Sequence, residues 1–313
     1  MILITGGSGF IGSHTVRALA ELGESCVVVQ RRSGEVPAHL ADLPVVAEQA
    51  DVTDLDALHA IGARHEITGI VHLAGYPAPR GSVGGIESTE DLLRGLVNIV
   101  RFAAERGVGR VGLASTIGVY GGVEHDGPLT EDLPVHLTAP HPIPRSKKIG
   151  ELLGEQLAEA TGIEIINLRI SGTWGPLGHD DPFFAAPALI HAAAHRCPLD
   201  LSGLLAQPHL GDGLDLCYVK DTGRAIALLQ VADHLNHRTY NVASGRVTTN
   251  ADVIAAIRDL VPGADLEIPE GAAHAGNPLA ITRLHDDTGY KPEYDTARAA
   301  ADYIAWLQAG NAR

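Results

Sequence analysis

Three glycines spaced three apart, Gly6-x-x-Gly9-x-x-Gly12, stand directly after the apolar run Ile2–Thr5 and at the head of an amphipathic stretch over residues 11–22. Few backbones accommodate that order. A strand, a tight turn and a helix do so, because residues without side chains let the turn approach a ligand and let the helix pack closely on the strand. The free N–H groups at the start of such a helix stabilise a pyrophosphate. Gly6, Ser8, Gly9, Phe10, Ile11 and Gly12 are therefore expected to contact a dinucleotide.

The rest of the first two thirds repeats this alternation. β-Branched runs at 25–30, 45–48, 69–73, 110–115 and 164–169 are separated by helical periodicities at 55–64, 89–106 and 146–161. Strands alternating with helices predict right-handed βαβ units and a doubly wound α/β parallel sheet of the Rossmann type. Beyond Arg169 the pattern loosens around Gly175-Pro176, Pro182, Pro187, Pro198 and Pro208. We expect a nucleotide-binding domain over residues 1–169 and a smaller, interwoven substrate lobe over 170–313, with a segment near 212–243 returning to the first domain. In such sheets the ligand lies outside the carboxyl ends of the strands, here between the lobes.

The end of the second strand bears on the choice of dinucleotide. NAD sites place a carboxylate there for the ribose 2′-hydroxyl, whereas this chain has Gln30-Arg31-Arg32-Ser33. Two guanidiniums and a hydroxyl suit a 2′-phosphate, so the expected cofactor is NADP(H). This small basic patch lies in an acidic chain: 23 Lys and Arg against 38 Asp and Glu give a formal charge of −15. That balance argues against nucleic acid and against an anionic membrane surface as partners. No apolar stretch approaches the roughly 18–20 residues of a membrane span, and the opening run is too short for a signal peptide. Cys26, Cys197 and Cys217 form neither a disulfide framework nor a metal spacing. A cytoplasmic protein is expected.

Motifs along nearly the whole chain resemble those of the extended short-chain dehydrogenase/reductase family, which includes nucleotide-sugar epimerases and dehydratases. They comprise residues 5–12, Asp51-Val52, His72-Leu73-Ala74-Gly75, 114–121, Arg145-Ser146-Lys147, 168–176, 218–221 and 240–245. The resemblance implies that Asp51 and Val52 touch the adenine and that Leu73, Ala74, Gly75 and Ile170 line the cofactor. It also implies an Asn, a Ser or Thr, and a Tyr-x-x-x-Lys pair as catalytic machinery. Thr116 matches the hydroxyl position, with Ser115 beside it, and Lys147 matches the lysine. The Tyr position holds Ile143 and the Asn position Leu92, and neither side chain carries a proton donor. An Asn that commonly holds a sugar diphosphate is Gly172, and the Arg for its second phosphate is Leu214.

A carbonyl can still accept hydride where the developing alkoxide is stabilised. Thr116, Ser115 and Lys147 are the expected catalytic residues, and a phenol ortho or peri to the ketone would supply the proton with high effective molarity. The pattern is similar to atypical ketoreductases that tailor aromatic polyketides such as angucyclinones. Ile143, Gly172, Trp174, Phe183 and Leu214 are the expected substrate contacts, the substrate being a small aromatic molecule. Tyr120 and His141 are spare acid–base candidates, His141 equally suiting a rigid loop between Pro140 and Pro142. Two other readings stay open: a nucleotide-sugar epimerase or reductase with an unusual acid–base residue, and a non-catalytic NADP-binding regulator. His191 and His195 have the i, i+4 spacing of metal ligands, but no Glu follows the first, so no metal is expected. Helices at 89–106 and 146–161 leave monomer and homodimer open.

Overall fold

The computed structural model describes residues 1–75, 85–139, 141–178 and 183–311. Seven parallel strands form the main sheet: β1 (Ile2–Thr5), β2 (Cys26–Gln30), β3 (Val45–Gln49), β4 (Gly69–His72), β5 (Arg110–Thr116), β6 (Glu164–Ile170) and β9 (Thr239–Val242). Their spatial order is β3-β2-β1-β4-β5-β6-β9. The direction of winding reverses between β1 and β4, which opens a crevice at their carboxyl ends. Helices α1 (Phe10–Glu21), α2 (Leu55–Arg64), α3 (Ile86–Arg106) and α4 (Pro142–Thr161) supply crossovers. One face of the sheet packs on α1 and on α6 (Val219–Val231) through Val16, Leu19, Ile226 and Leu229. The other packs on α2, α3 and α4 through Leu58, Ile61, Phe102 and Ala158. The apolar runs Ile2–Ile4, Cys26–Val29 and Ile70–Val71 of the central strands follow directly from this two-sided burial.

The lobe is built on a three-stranded sheet of β7 (Gly172–Trp174), β8 (Gly213–Tyr218) and β10 (Val247–Thr249). Helices α5 (Ala186–His195), α7 (Asn250–Leu260) and α9 (Thr296–Gln308) close a separate core with Trp174, Tyr218 and Tyr303. The returning segment is α6 and β9, joined by α8 (Thr282–Thr288), which buries Leu284 beneath the main sheet. The expected return near 212–243 thus needs correction at its start, because β8 pairs in the lobe sheet. Three aspartates stitch the late chain to this framework. Asp212 accepts from Ala273 and His274, Asp221 from Glu293 and Tyr294, and Asp215 from Ser244, Gly245 and Leu279.

Two helix starts differ from the sequence expectation. α3 begins at Ile86, three residues early. α4 begins at Pro142, four residues early, where a rigid loop was the other reading of His141. The cause is chemical: Pro142 suits the first helical position, where no N–H is needed, and the His141 side chain caps the turn.

Candidate active site

The glycine turn has the geometry of a phosphate cradle. Gly6 takes φ +72° and accepts a hydrogen bond from the Gly9 N–H at 3.0 Å. A Cβ on Gly12 would overlap the Gly6 carbonyl oxygen, so α1 reaches this close only as glycine. Gly9 caps α1 without a side-chain hydrogen bond, which leaves the first N–H groups of the helix to a ligand. The turn opens into a cleft of about 720 Å³ lined by Gly6, Ser8, Arg31, Arg32, Ser33, Asp51, Val52, Ala74 and Gly75. Nine of the expected cofactor residues therefore share one cleft.

Others stand apart from it. Phe10 packs toward Gly178, while Ile11 and Leu73 turn their side chains to the sheet core and offer a ligand only backbone. Ile170 is corrected: its side chain is 7% exposed, within the core beside Val242 and Ile226. Thr5, Ser88, Asp91, Pro142, Arg145, Ser146 and Ile149 line the cleft without having been anticipated. The α4 residues 142, 145, 146 and 149 recur at helical spacing, a signal that extending the helix back to Pro142 would have revealed.

Charge is arranged along the cleft. Gln30, which also lines the cleft, donates to the Glu35 carbonyl, and the guanidiniums of Arg31 and Arg32 are exposed with no hydrogen-bonded partner among the described residues. Asp51 accepts from the Thr53 N–H and hydroxyl, and these bonds with the nearby Arg31 charge hold its carboxyl below the usual range. The cleft thus has a cradle, a hydrogen-bonding acid and two available cations, a donor set that fits a dinucleotide phosphate.

At the reacting end, Thr5 Oγ1 and His72 Nδ1 are 2.7 Å apart. Burial, with the charge of Lys147, pushes the His72 pKa down to about 3, so the ring is neutral at pH 7. Lys147 borders a second cavity of about 30 Å³ shared with His72, Leu92, Ser115, Glu151 and Asn167. Burial alone pushes its ammonium down to about 8, and no described residue hydrogen-bonds it. Lys148 behaves differently: it donates to the Thr138 and His136 carbonyls and fastens the incoming chain to α4.

Ser115 lines the cavity that Lys147 borders, and its hydroxyl donates to Glu151, which also holds Arg169 through both oxygens. Thr116 Oγ1 accepts from the Gly118 N–H at 3.2 Å, leaving its own hydrogen to donate. Tyr120 is 4% exposed, donates to Asn241 at 2.8 Å and accepts from Arg169 at 3.0 Å. Burial raises its pKa, so it serves the buried network rather than substrate. Ile143 is half-buried on α4, one turn before Lys147, so the two share a helix face.

On the lobe side, Gly172 and Leu214 come together: a Cβ on Gly172 would meet Leu214 Cδ2 at 2.7 Å and Leu216 Cδ2 at 2.9 Å. Trp174 is corrected as a substrate contact, since it is 2% exposed and packs edge-on against Tyr218 in the lobe core. Phe183 is exposed and meets His141. His191 bonds Tyr303, and among the described residues no cluster of three or more metal-binding side chains occurs. Among them no helix is long and apolar enough to cross a membrane.

Because no described residue hydrogen-bonds the buried Lys147 ammonium, its titration should set a pH limit on ligand binding. Dinucleotide affinity should be flat below about pH 8 and weaken above it, approaching tenfold per unit as the ammonium of the free protein loses its proton. A Lys147→Met protein should bind more weakly without that alkaline limb. Calorimetric titration between pH 6.5 and 9.5 reads both, and an unchanged limb in the variant would remove Lys147 from the site.

The profile of the NAD dependent epimerase/dehydratase family matches residues 2–243. The chain belongs to this family. Family membership makes the cleft that of a nicotinamide-dinucleotide enzyme of the extended short-chain type. The chain is 25% identical over 316 residues to the UDP-glucose 4-epimerase of Lacticaseibacillus casei, covering 94% of this chain and 92% of that one. It is 26% identical over 323 residues to the dTDP-glucose 4,6-dehydratase of Streptomyces griseus, covering 97% and 93%. Among solved structures, the UDP-glucose 4-epimerase of Bifidobacterium longum, in complex with NAD+ and UDP, superposes with a TM-score of 0.79. That comparison covers 98% of both chains at 22% identity and establishes the shared fold.

Proposed function

We propose that this family member is an NADPH-dependent ketoreductase whose substrate is an aromatic, polyketide-type ketone carrying its own acidic hydroxyl. The observation that carries the reading is Ile143 one turn before Lys147, where the family pattern has a tyrosine. Leu92 reinforces it, lying 3.0 Å from where a Cβ of Gly75 would stand, at the wall between the two cavities. Neither residue can donate a proton or pair with a sugar diphosphate. Leu214 and Leu216 fill the space over Gly172, which favours an apolar ligand over a charged one on that side.

When bound, NADPH would supply the hydride. The chain's own groups would bind and polarise: Thr116, whose Oγ1 accepts from Gly118, keeps an O–H to donate to the carbonyl oxygen, and the Lys147 ammonium would add positive potential from its own cavity. The glycine turn would hold the pyrophosphate, and Arg31, Arg32 and Ser33 the 2′-phosphate. The proton comes from the substrate's hydroxyl, already bonded to the reacting oxygen, and solvent restores it.

A second reading, epimerisation of a nucleotide sugar, is favoured by the relatives' named activities. Two substrates and one variant separate them. The wild type should oxidise NADPH with a peri-hydroxy aryl ketone and turn over its O-methyl ether at least about 100-fold more slowly, within the usual 10²–10⁴ range of a positioned proton donor. Equal rates on both ketones would defeat self-supplied protonation. Recovery of sugar epimerisation by Ile143→Tyr would instead mark a degenerate epimerase.

A further inference from the structure

An aromatic pair joins the two lobes beside Ile143. His141 Nδ1 accepts the Ile143 N–H at 3.3 Å, capping α4. An acceptor at Nδ1 places the ring proton on Nε2. The imidazole meets Phe183 edge-on, with centroids 5.0 Å apart and planes at 82°. Phe183 belongs to the lobe, three residues before α5, and remains 52% exposed despite this contact. Pro144, in the first turn of α4, packs over Gly118 in the turn that follows Thr116. The pair is therefore anchored to the same turn that presents the Thr116 hydroxyl.

We propose that His141 and Phe183 determine specificity, forming an aromatic wall that receives a flat, oxygen-bearing ring system, with His141 Nε2–H donating to a ligand oxygen. This deepens the aryl-ketone reading and rests on it. Capping alone does not require an imidazole, since Ser, Thr, Asp or Asn caps a helix at least as well with a single acceptor. The second ring nitrogen is surplus to that task. Phe183 keeps 52% of its surface exposed, whereas the lobe-core Trp174 keeps 2%. Two rings at right angles offer a flat ligand both an aromatic surface and, at His141, a hydrogen-bond donor.

The probe is 1,8-dihydroxyanthraquinone, titrated by absorbance against protein saturated with NADP+, so that binding is read without turnover. His141→Asn retains a capping acceptor but removes the ring and Nε2–H; Phe183→Ala removes the other half of the wall. Each should weaken anthraquinone binding about tenfold, with the melting temperature and NADPH affinity unchanged. Both variants binding like wild type would overturn the proposal, and so would a wild type that does not bind the ring system. If wild type binds in a His141- and Phe183-dependent way yet oxidises no NADPH with any aryl ketone, the wall stands and the ketoreductase reading fails.

Discussion

Replacing Arg31 and Arg32 together with alanine should weaken NADPH binding about 100-fold and change NADH binding by less than about threefold. The asymmetry follows from what the two cations touch. Both line the cleft at the end of β2 and neither guanidinium is hydrogen-bonded to a described residue, so their removal breaks no hydrogen bond among the described residues and costs Asp51 only the nearby Arg31 charge. A 2′-phosphate would lose two charge-assisted contacts, each strong relative to a neutral hydrogen bond, while a 2′-hydroxyl would lose little. Exposure and salt screening hold the loss to the lower end of what two such contacts can deliver. Raising ionic strength from about 50 to 500 mM should therefore narrow the wild-type preference, since the Debye length shortens several-fold over that range. Parallel titrations with NADPH and NADH give the answer. Equal weakening toward both dinucleotides would place the arginines outside the 2′ site, and equal wild-type affinities would make the cofactor NAD.

The largest stability loss should come from a residue with no part in chemistry. Asp215 is fully buried, and its carboxylate accepts from the Ser244 N–H and hydroxyl, the Gly245 N–H and the Leu279 N–H at 2.8–3.0 Å. One side chain thereby ties β8 to the chain after β9 and to the segment before α8. Asp215→Ala would leave three backbone N–H donors without partners, each costing about 1–3 kcal/mol when buried, while the Ser244 hydroxyl keeps the Arg246 carbonyl as acceptor. Water entering the space recovers part of that, so a loss of about 4 kcal/mol is expected, a melting temperature lower by on the order of 10 °C. Asp215→Asn keeps the volume but turns an NH2 toward an N–H donor and should fall between. Thermal unfolding monitored by circular dichroism measures both. An alanine variant melting within about 2 °C of wild type would show that the stitching is dispensable.

Much of the nucleotide domain was legible because its signals are local. The glycine spacing, the apolar runs and the helical periodicities each specify structure within a dozen residues, and β1, β2, α2 and β5 lie within one or two residues of expectation. Elements of the lobe were not legible to the same degree. β7 and β10 are three residues each and exist only because β8 lies between them. The engagement of Ser115 was not legible for a related reason: its partner Glu151 is 36 residues away on α4, and only packing brings that carboxylate to the strand. Trp174 likewise followed a strand end in sequence, a position that reads as cleft-facing until Tyr218 and the α5 helix are seen to enclose it.

The sequence by itself determined the parallel α/β sheet and the glycine turn, and it carries Thr116, Ile143 and Lys147, which we propose stand at the family's catalytic positions. These depend on residue type and short spacing, which the chain carries independently of its folding. Tertiary structure decided which side chains are available. It committed Ser115 to Glu151 and Tyr120 to Asn241 and Arg169, buried Ile170 and Trp174, and left Lys147, Arg31 and Arg32 beside cavities without a hydrogen-bond partner among the described residues. Availability is a matter of what else is within about 3 Å, and partners 36 to 121 residues apart in the chain meet only when the sheet and its helices close around them.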